Sequence, residues 1–229
     1  MLLYNSMNNK LMREGLTKFI ASLELGISKD SGEKMIDNLE KLWSEVLLSG
    51  YTQDPWSALS TRQAAVSSDP VYITKIPFVS ICQDHLLPFS GFVSIGYIPD
   101  KEFVGLSNIG KLVHILSARL HVQENLTSEI ADVLYKTISP VAVGVCMVAQ
   151  HYCMKARFPA QNISEVVTTS FRGDCKTGDF KSDFLSMVKL EKTAGGEEGS
   201  GQHFQRLTAL EIIPAIVRIF TGTTGRLRL

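Results

Sequence analysis

The chain has 229 residues, 45% of them apolar, enough for one large domain or one domain with appendages. Lysine plus arginine and aspartate plus glutamate balance at 23 each, which excludes a global field of the kind that recruits nucleic acid or a membrane surface. No uninterrupted apolar run reaches bilayer length, and four cysteines without a secretory leader fit a cytoplasmic protein with free thiols, so neither a disulfide nor a membrane or nucleic-acid partner is expected.

The segment to about Gly50 reads as helical. Leu11, Leu16, Phe19, Ile20 and Leu23 recur at helical intervals, as do Met35, Leu39, Leu42, Trp43, Val46 and Leu47, and Gly50 is placed to cap the second helix. Thr52 to Asp69 has a poor pattern with Pro55, and is expected to be an irregular connection with one helical turn at most. Val71 to Phe78 and Gly91 to Pro99 carry β-branched and aromatic residues and predict two strands. The period then changes. Leu106, Ile109, Leu112, Val113, Leu116 and Leu120 predict a helix, and Leu126, Ile130, Val133 and Leu134 a second that Pro140 closes. Val141 to Cys153 and Ser164 to Arg172 return to strand character, and Phe180 to Leu190 is a short amphipathic helix. Ala194 to Gly201 has linker composition, and Leu207 to Phe220 is apolar at helical spacing but carries Pro214.

Between the first two strands stand Cys82 and His85, three apart, so that one turn can aim a thiolate and an imidazole at one point. A lone Cys-x-x-His is more often a buried thiol beside a satisfied histidine. If the strand from Val141 runs on through Cys153, however, His151 and Cys153 share a face and supply a third soft ligand with a histidine beside it. Cys, His and Cys suit zinc, and three protein ligands leave the fourth tetrahedral position open, the catalytic pattern.

Several blocks together resemble the GTP cyclohydrolase I family. They are Cys82-Gln83-Asp84-His85-Leu86-Leu87-Pro88-Phe89, Gly96-Tyr97-Ile98-Pro99, Gly105-Leu106-Ser107, Arg119 through Thr127, and His151-Tyr152-Cys153-Met154-Lys155-Ala156-Arg157. They span about Pro70 to Val188 in order and spacing. The resemblance implies an α+β T-fold (tunnelling fold): an antiparallel sheet with two helices on one face, here preceded by N-terminal helices. It also implies a decameric ring of like subunits with interfacial sites. The domain division is then a helical region over residues 1–52, the T-fold domain over 70–190, and a flexible linker and tail over 191–229.

The resemblance implies roles residue by residue. Cys82, His85 and Cys153 correspond to the Zn2+ ligands, and zinc makes hydroxide available near neutrality to attack C8 of the purine. His151 corresponds to the acid/base histidine. Gln123 and Glu124 correspond to the guanine-binding pair, whose carboxylate accepts from N1–H and the 2-amino group. Ser107 corresponds to a serine used in the later sugar rearrangement, although a serine before an apolar helix is most often an N-cap. Lys111 and Arg157 are the cations left to hold phosphate, Arg157 at an even offset from Cys153 on a continuing strand. The implied reaction is the conversion of GTP to 7,8-dihydroneopterin triphosphate and formate, at the head of folate or pterin synthesis.

The chain also departs from the family pattern. Asp84 stands where the family has the first of two consecutive histidines, and a carboxylate held in its charged form by a nearby cation is a poor proton donor. It would serve instead as a base on the zinc water, or as a fourth ligand that shuts the site. Asn108 and Lys111 replace a lysine and an arginine of the phosphate grip, the N-terminal Thr-Pro-x-Arg element gives way to something like Ile36-Asp37-Asn38-Leu39, and Phe158 replaces a glycine. These changes keep two alternatives in view: a relative that takes a different or less phosphorylated purine or stops at the ring-opened formamide, and an impaired ring-forming paralogue.

Overall fold

The structure, a computed structural model, describes residues 7–157, 165–175 and 179–194. The tail motifs, Phe158 and Ser164 lie outside the described residues. The chain divides into two compact units, Met1–Leu185 and Ser186–Leu229, and of the second only the end of one helix is described.

Helix α1 (Asn9–Ser22) starts where the Asn8 side chain accepts a hydrogen bond from the Leu11 N–H, and α2 (Lys29–Lys41) where Ser28 accepts from Ser31. Each cap is worth about 1 kcal/mol. The caps carry weight because α1 has no buried residue. Between the helices Arg13 meets Glu33, Asp37 and Glu40 at 3.2, 2.7 and 2.6 Å. The second predicted helix does not continue regularly to Leu47: it widens into a π-helical turn at Leu42–Leu47 and tightens into a 3-10 turn at Ser49–Thr52. Gly50 is not a helix cap. Its N–H donates to Ala118 O at 3.0 Å, and a Cβ there would stand 2.0 Å from Ile115 O, so the position needs glycine for a close approach of two backbones.

The connection that follows holds more structure than its composition suggests. A 3-10 turn at Trp56–Leu59 leads to β1 (Arg62–Ala64), too short to show a period. The main sheet comes next. β2 (Val71–Cys82) and β3 (Pro88–Ile98) form an antiparallel hairpin, and β4 (Glu102–Val104) turns back to pair with β1. Helix α3 (Leu106–Ser117) stops before Leu120, because Leu120 and His121 instead form β5 beside β2. Helix α4 (Gln123–Ile138) ends at Ser139 in a left-handed conformation, φ 45°. β6 (Ala142–His151), the short helix α5 (Tyr152–Arg157), β7 (Val166–Gly173) and α6 (Phe180–Ala194) complete the order. The five-stranded sheet runs β5-β2-β3-β6-β7. Its four long strands are antiparallel as expected, and the two-residue β5 adds one parallel pairing at the edge.

The core lies between this sheet and helices α3 and α4. Val93, Ile95 and Tyr97 of β3 sit in register with Met147, Val145 and Val143 of β6, and alternation sends all six to the face covered by Ile109, Leu112 and Leu116 of α3 and Leu126, Ile130 and Leu134 of α4. All twelve are at most 1% exposed, and at about 1.5–3 kcal/mol for each large apolar side chain this layer outweighs the caps and ion pairs of the N-terminal hairpin. On the opposite face Gly96 and Gly144 are register partners, and their missing side chains make room for Tyr72, Phe171 and Phe184. No helix among the described residues is long and apolar enough to cross a membrane.

Candidate metal centre and its surroundings

At the end of β2 the chain must reverse within five residues to start β3. The Cys82 N–H donates to Leu87 O at 2.9 Å, Cys82 O accepts from Leu86 at 2.8 Å, and Leu86 takes φ 53° to close the turn. A left-handed non-glycine residue costs on the order of 1 kcal/mol. The conformation brings His85 Nδ1 to 3.4 Å from Cys82 Sγ. The Gln83 N–H, donating to His121 O at 3.1 Å, ties the same turn to β5.

Cys153 reaches this point by a route that the sequence pattern misses. β6 ends at His151, and Cys153 lies in the first turn of α5, so strand alternation does not relate the two residues. Cys82 Sγ, His85 Nδ1 or Nε2 and Cys153 Sγ nevertheless all lie within 4.8 Å of one another. Ligand atoms on a tetrahedral zinc stand ~3.5–3.8 Å apart, given bond lengths of about 2.3 Å to sulfur and about 2.0 Å to nitrogen. Small rotamer adjustments of two cysteines and a histidine would satisfy that geometry. Both cysteines are 5% exposed, whereas His85 is exposed. Burial, and then the facing Cys82 thiol, push the Cys153 pKa up. Two buried thiols facing each other do not both ionise without a cation, and a dication reverses that preference.

His151 closes β6 as the register partner of Phe89. The two rings stack with centroids 4.6 Å apart and planes 3° apart, and Phe89, fully buried, meets Phe78 edge-on at 5.8 Å. Burial lowers the His151 pKa, the Glu124 carboxylate opposes that shift, and His85 adds to it. A largely neutral imidazole beside the three-ligand cluster follows.

Gln123, expected to read guanine, is 1% exposed and turned inward. Its amide nitrogen donates to Met147 O, Val166 O and Thr168 Oγ1 at 3.3, 3.0 and 3.1 Å, while its oxygen lies 2.9 Å from His151 Nε2. In this arrangement the amide is engaged by the protein itself. Glu124, exposed in the first turn of α4, remains the candidate reader, near enough to His151 to act on it electrostatically.

The other expected site residues stand apart from the cluster's hydrogen bonding. Asp84 is exposed on the turn and is not one of the grouped ligands. Ser107 is not the cap of α3, since Gly105 holds that position; it is exposed in the first turn, one helical turn before the exposed Lys111. Asn108 donates to Thr61 O at 3.3 Å, a structural bond between α3 and the β1 segment. Arg157 is exposed at the end of α5, and its four-residue spacing from Cys153 puts both on one side of a helix instead of a strand.

A buried polar cluster next to the site has no counterpart in the sequence reading. Arg119 donates to Gly50 O at 3.0 Å and Gln53 O at 3.2 Å and meets Glu129 at 3.4 Å, which fastens residues 50–53 to the strand beside the metal turn. Burial, and then the charge of Arg119, push the His121 pKa down to about 4. Its Nε2 has no hydrogen-bond partner among the described residues, and the 3.7 Å approach to Glu129 is not an ion pair at neutral pH, where His121 is uncharged. Glu129, half-buried beside the inward-facing Leu126 and Ile130 of α4, is the trace that this cluster leaves in the sequence.

The family model for GTP cyclohydrolase I matches residues 12–189. A protein named GTP cyclohydrolase 1 from Wolinella succinogenes is 39% identical over 165 residues, covering 70% of this chain and 84% of that protein. Proteins of the same name from Campylobacter concisus and Helicobacter pylori are 34% and 33% identical, covering 77% and 78% of this chain and 96% and 99% of theirs.

Proposed function

Because the chain belongs to the GTP cyclohydrolase I family of hydrolases, we propose that it converts GTP and water to formate and 7,8-dihydroneopterin triphosphate, in the cytoplasm, as a homo-oligomer. The observation that carries this reading is the convergence of Cys82, His85 and Cys153 within 4.8 Å, with His151 two residues from Cys153 and held on a fixed stack. That donor set fits zinc. A bound zinc ion would supply Lewis acidity that brings water toward ionisation near neutrality.

The chain's own residues have separable tasks. Glu124 accepts hydrogen bonds from the guanine N1–H and 2-amino group, and its place in the first turn of α4 keeps its charge favourable through the free N–H groups there. His151, kept largely neutral by burial, accepts and returns the protons that move as the imidazole ring of the base opens. Lys111 and Arg157, exposed and without a partner among the described residues, hold the triphosphate, and Ser107 serves the sugar rearrangement. Asp84 takes the position of a proton donor with a group that donates poorly, which leaves protonation of the base to another group or to solvent and makes turnover slow.

The exposed Asp84 and the structurally occupied Asn108 favour one second reading: opening of the purine ring that stops at the formamide. Zinc-loaded protein incubated with GTP separates the two. Formate with pterin fluorescence supports the full reaction. Accumulation of the ring-opened formamide nucleotide, detected by mass, supports the second reading. No change in GTP, with zinc bound and the protein folded, refutes both.

A further inference from the structure

The hydrogen bonds around Gln123 settle a question of orientation that the family resemblance leaves open. Its amide group faces two backbone carbonyls, Met147 O at 3.3 Å and Val166 O at 3.0 Å. Carbonyl oxygens only accept, so the NH2 end of the amide must lie on that side. The reversed amide would set oxygen against oxygen at those two contacts, a repulsion that burial strengthens. The oxygen end therefore lies toward His151, 2.9 Å from Nε2, and it too can only accept.

The surrounding hydroxyls reinforce this choice. The Gln123 amide also donates to Thr168 Oγ1 at 3.1 Å, Thr168 Oγ1 lies 2.6 Å from Thr127 Oγ1, and Thr127 Oγ1 donates to Gln123 O at 2.8 Å. With Thr168 donating to Thr127, all the hydrogens run one way round a closed ring that begins and ends on Gln123. Reversal of the amide would break the ring. Gln123 and Thr127 are each 1% exposed, so these groups have few other partners.

We propose that Gln123 is a positioning residue that holds His151 as one tautomer, with hydrogen on Nε2 and the free lone pair on Nδ1. The Phe89 stack fixes the plane of the imidazole, and Gln123 fixes its rotation within that plane. Nδ1 is then the only ring nitrogen able to take a proton from substrate or water. This inference rests on the reading of His151 as the acid/base group, but the tautomer itself does not depend on which substrate binds.

The test uses zinc-loaded, 15N-labelled protein, in which two-bond 1H–15N correlations distinguish the two neutral tautomers. The chain has five histidines, and His151 is assigned by the signals lost in His151→Asn. The wild-type protein should show a single Nε2–H form. Gln123→Met, similar in volume but without an acceptor, should give a mixture of tautomers and lower kcat on the order of 10- to 100-fold with little change in KM. An Nδ1–H tautomer in the wild-type protein overturns the proposal even if the variants fail to fold. An unchanged tautomer in Gln123→Met overturns it whatever the rate does. Failure of the wild-type protein to turn over GTP while the Nε2–H form is present would count against the proposed function and leave the positioning intact.

Discussion

Replacing His121 with glutamine should make the protein markedly more resistant to acid. His121 is 9% exposed, lacks a partner at Nε2 among the described residues, and is held at a pKa of about 4 by burial and by the charge of Arg119, against 6.5 for the free side chain. Between these values the unfolded chain binds a proton that the folded chain refuses. Stability therefore rises with pH through this window, and it is lost as pH falls from about 6.5 toward about 4. The full difference corresponds to about 3 kcal/mol, of which about 2 kcal/mol is lost between pH 7 and roughly pH 4.5. For a domain of this size that is a shift in Tm of several degrees, at about 2–4 °C per kcal/mol. Glu129, whose own pKa is raised by burial, is the facing carboxylate, and glutamine can still hydrogen-bond to it. The assay is the urea midpoint of wild type and His121→Gln at both pH values. Comparing the two proteins cancels the acid-driven loss of metal from the thiolates. If both lose the same stability on acidification, His121 is not the buried base described above.

Three further outcomes are expected. Cys153→Ser should abolish stoichiometric zinc and activity together, by metal analysis and formate release, while Cys175→Ser should keep both because its sulfur donates to the backbone oxygens of Val143 and Arg172, away from the grouped ligands. Glu124→Ala should weaken guanine nucleotide binding roughly 30- to 1,000-fold by calorimetry, since the base's donors are left without a partner, and equal affinity would move the base elsewhere. Asp84→His should raise pterin formation on the order of 10²-fold by supplying a general acid; no gain with zinc bound would shift the barrier to the reduced set of phosphate-binding cations.

The parts of the fold that were legible in the sequence are those with a long period and a buried face. Helices α3 and α4 and the four long strands follow from apolar alternation and 3.6-residue spacing, because each buries a continuous stripe in one core. β1 and β5 were not legible, since two or three residues carry no period and their pairing depends on partners 40 residues away. The metal site shows the same division. Cys82 and His85 sit in one turn and their convergence follows from local spacing, whereas Cys153 converges only because β6 gives way to α5 at Tyr152, a change of backbone that the apolar run through Met147 and Val148 conceals. The surroundings of Gln123 were not legible for a different reason: Met147, Val166 and Thr168, which enclose its amide, lie 24 to 45 residues further along the chain. The close approach at Gly50 and the Arg119 bonds to Gly50 O and Gln53 O arise between segments about 70 residues apart in sequence, so no local pattern announces them.

The central claim is that the Cys82–His85–Cys153 cluster binds the zinc ion on which GTP turnover depends. It is tested most directly by stripping the protein with a chelator and measuring formate release from GTP as zinc is returned in steps. Activity should be absent at first, rise in proportion to added zinc, and level off at one zinc per chain. Full formate release from the metal-free protein, or one zinc bound per chain with no formate released, would contradict the account.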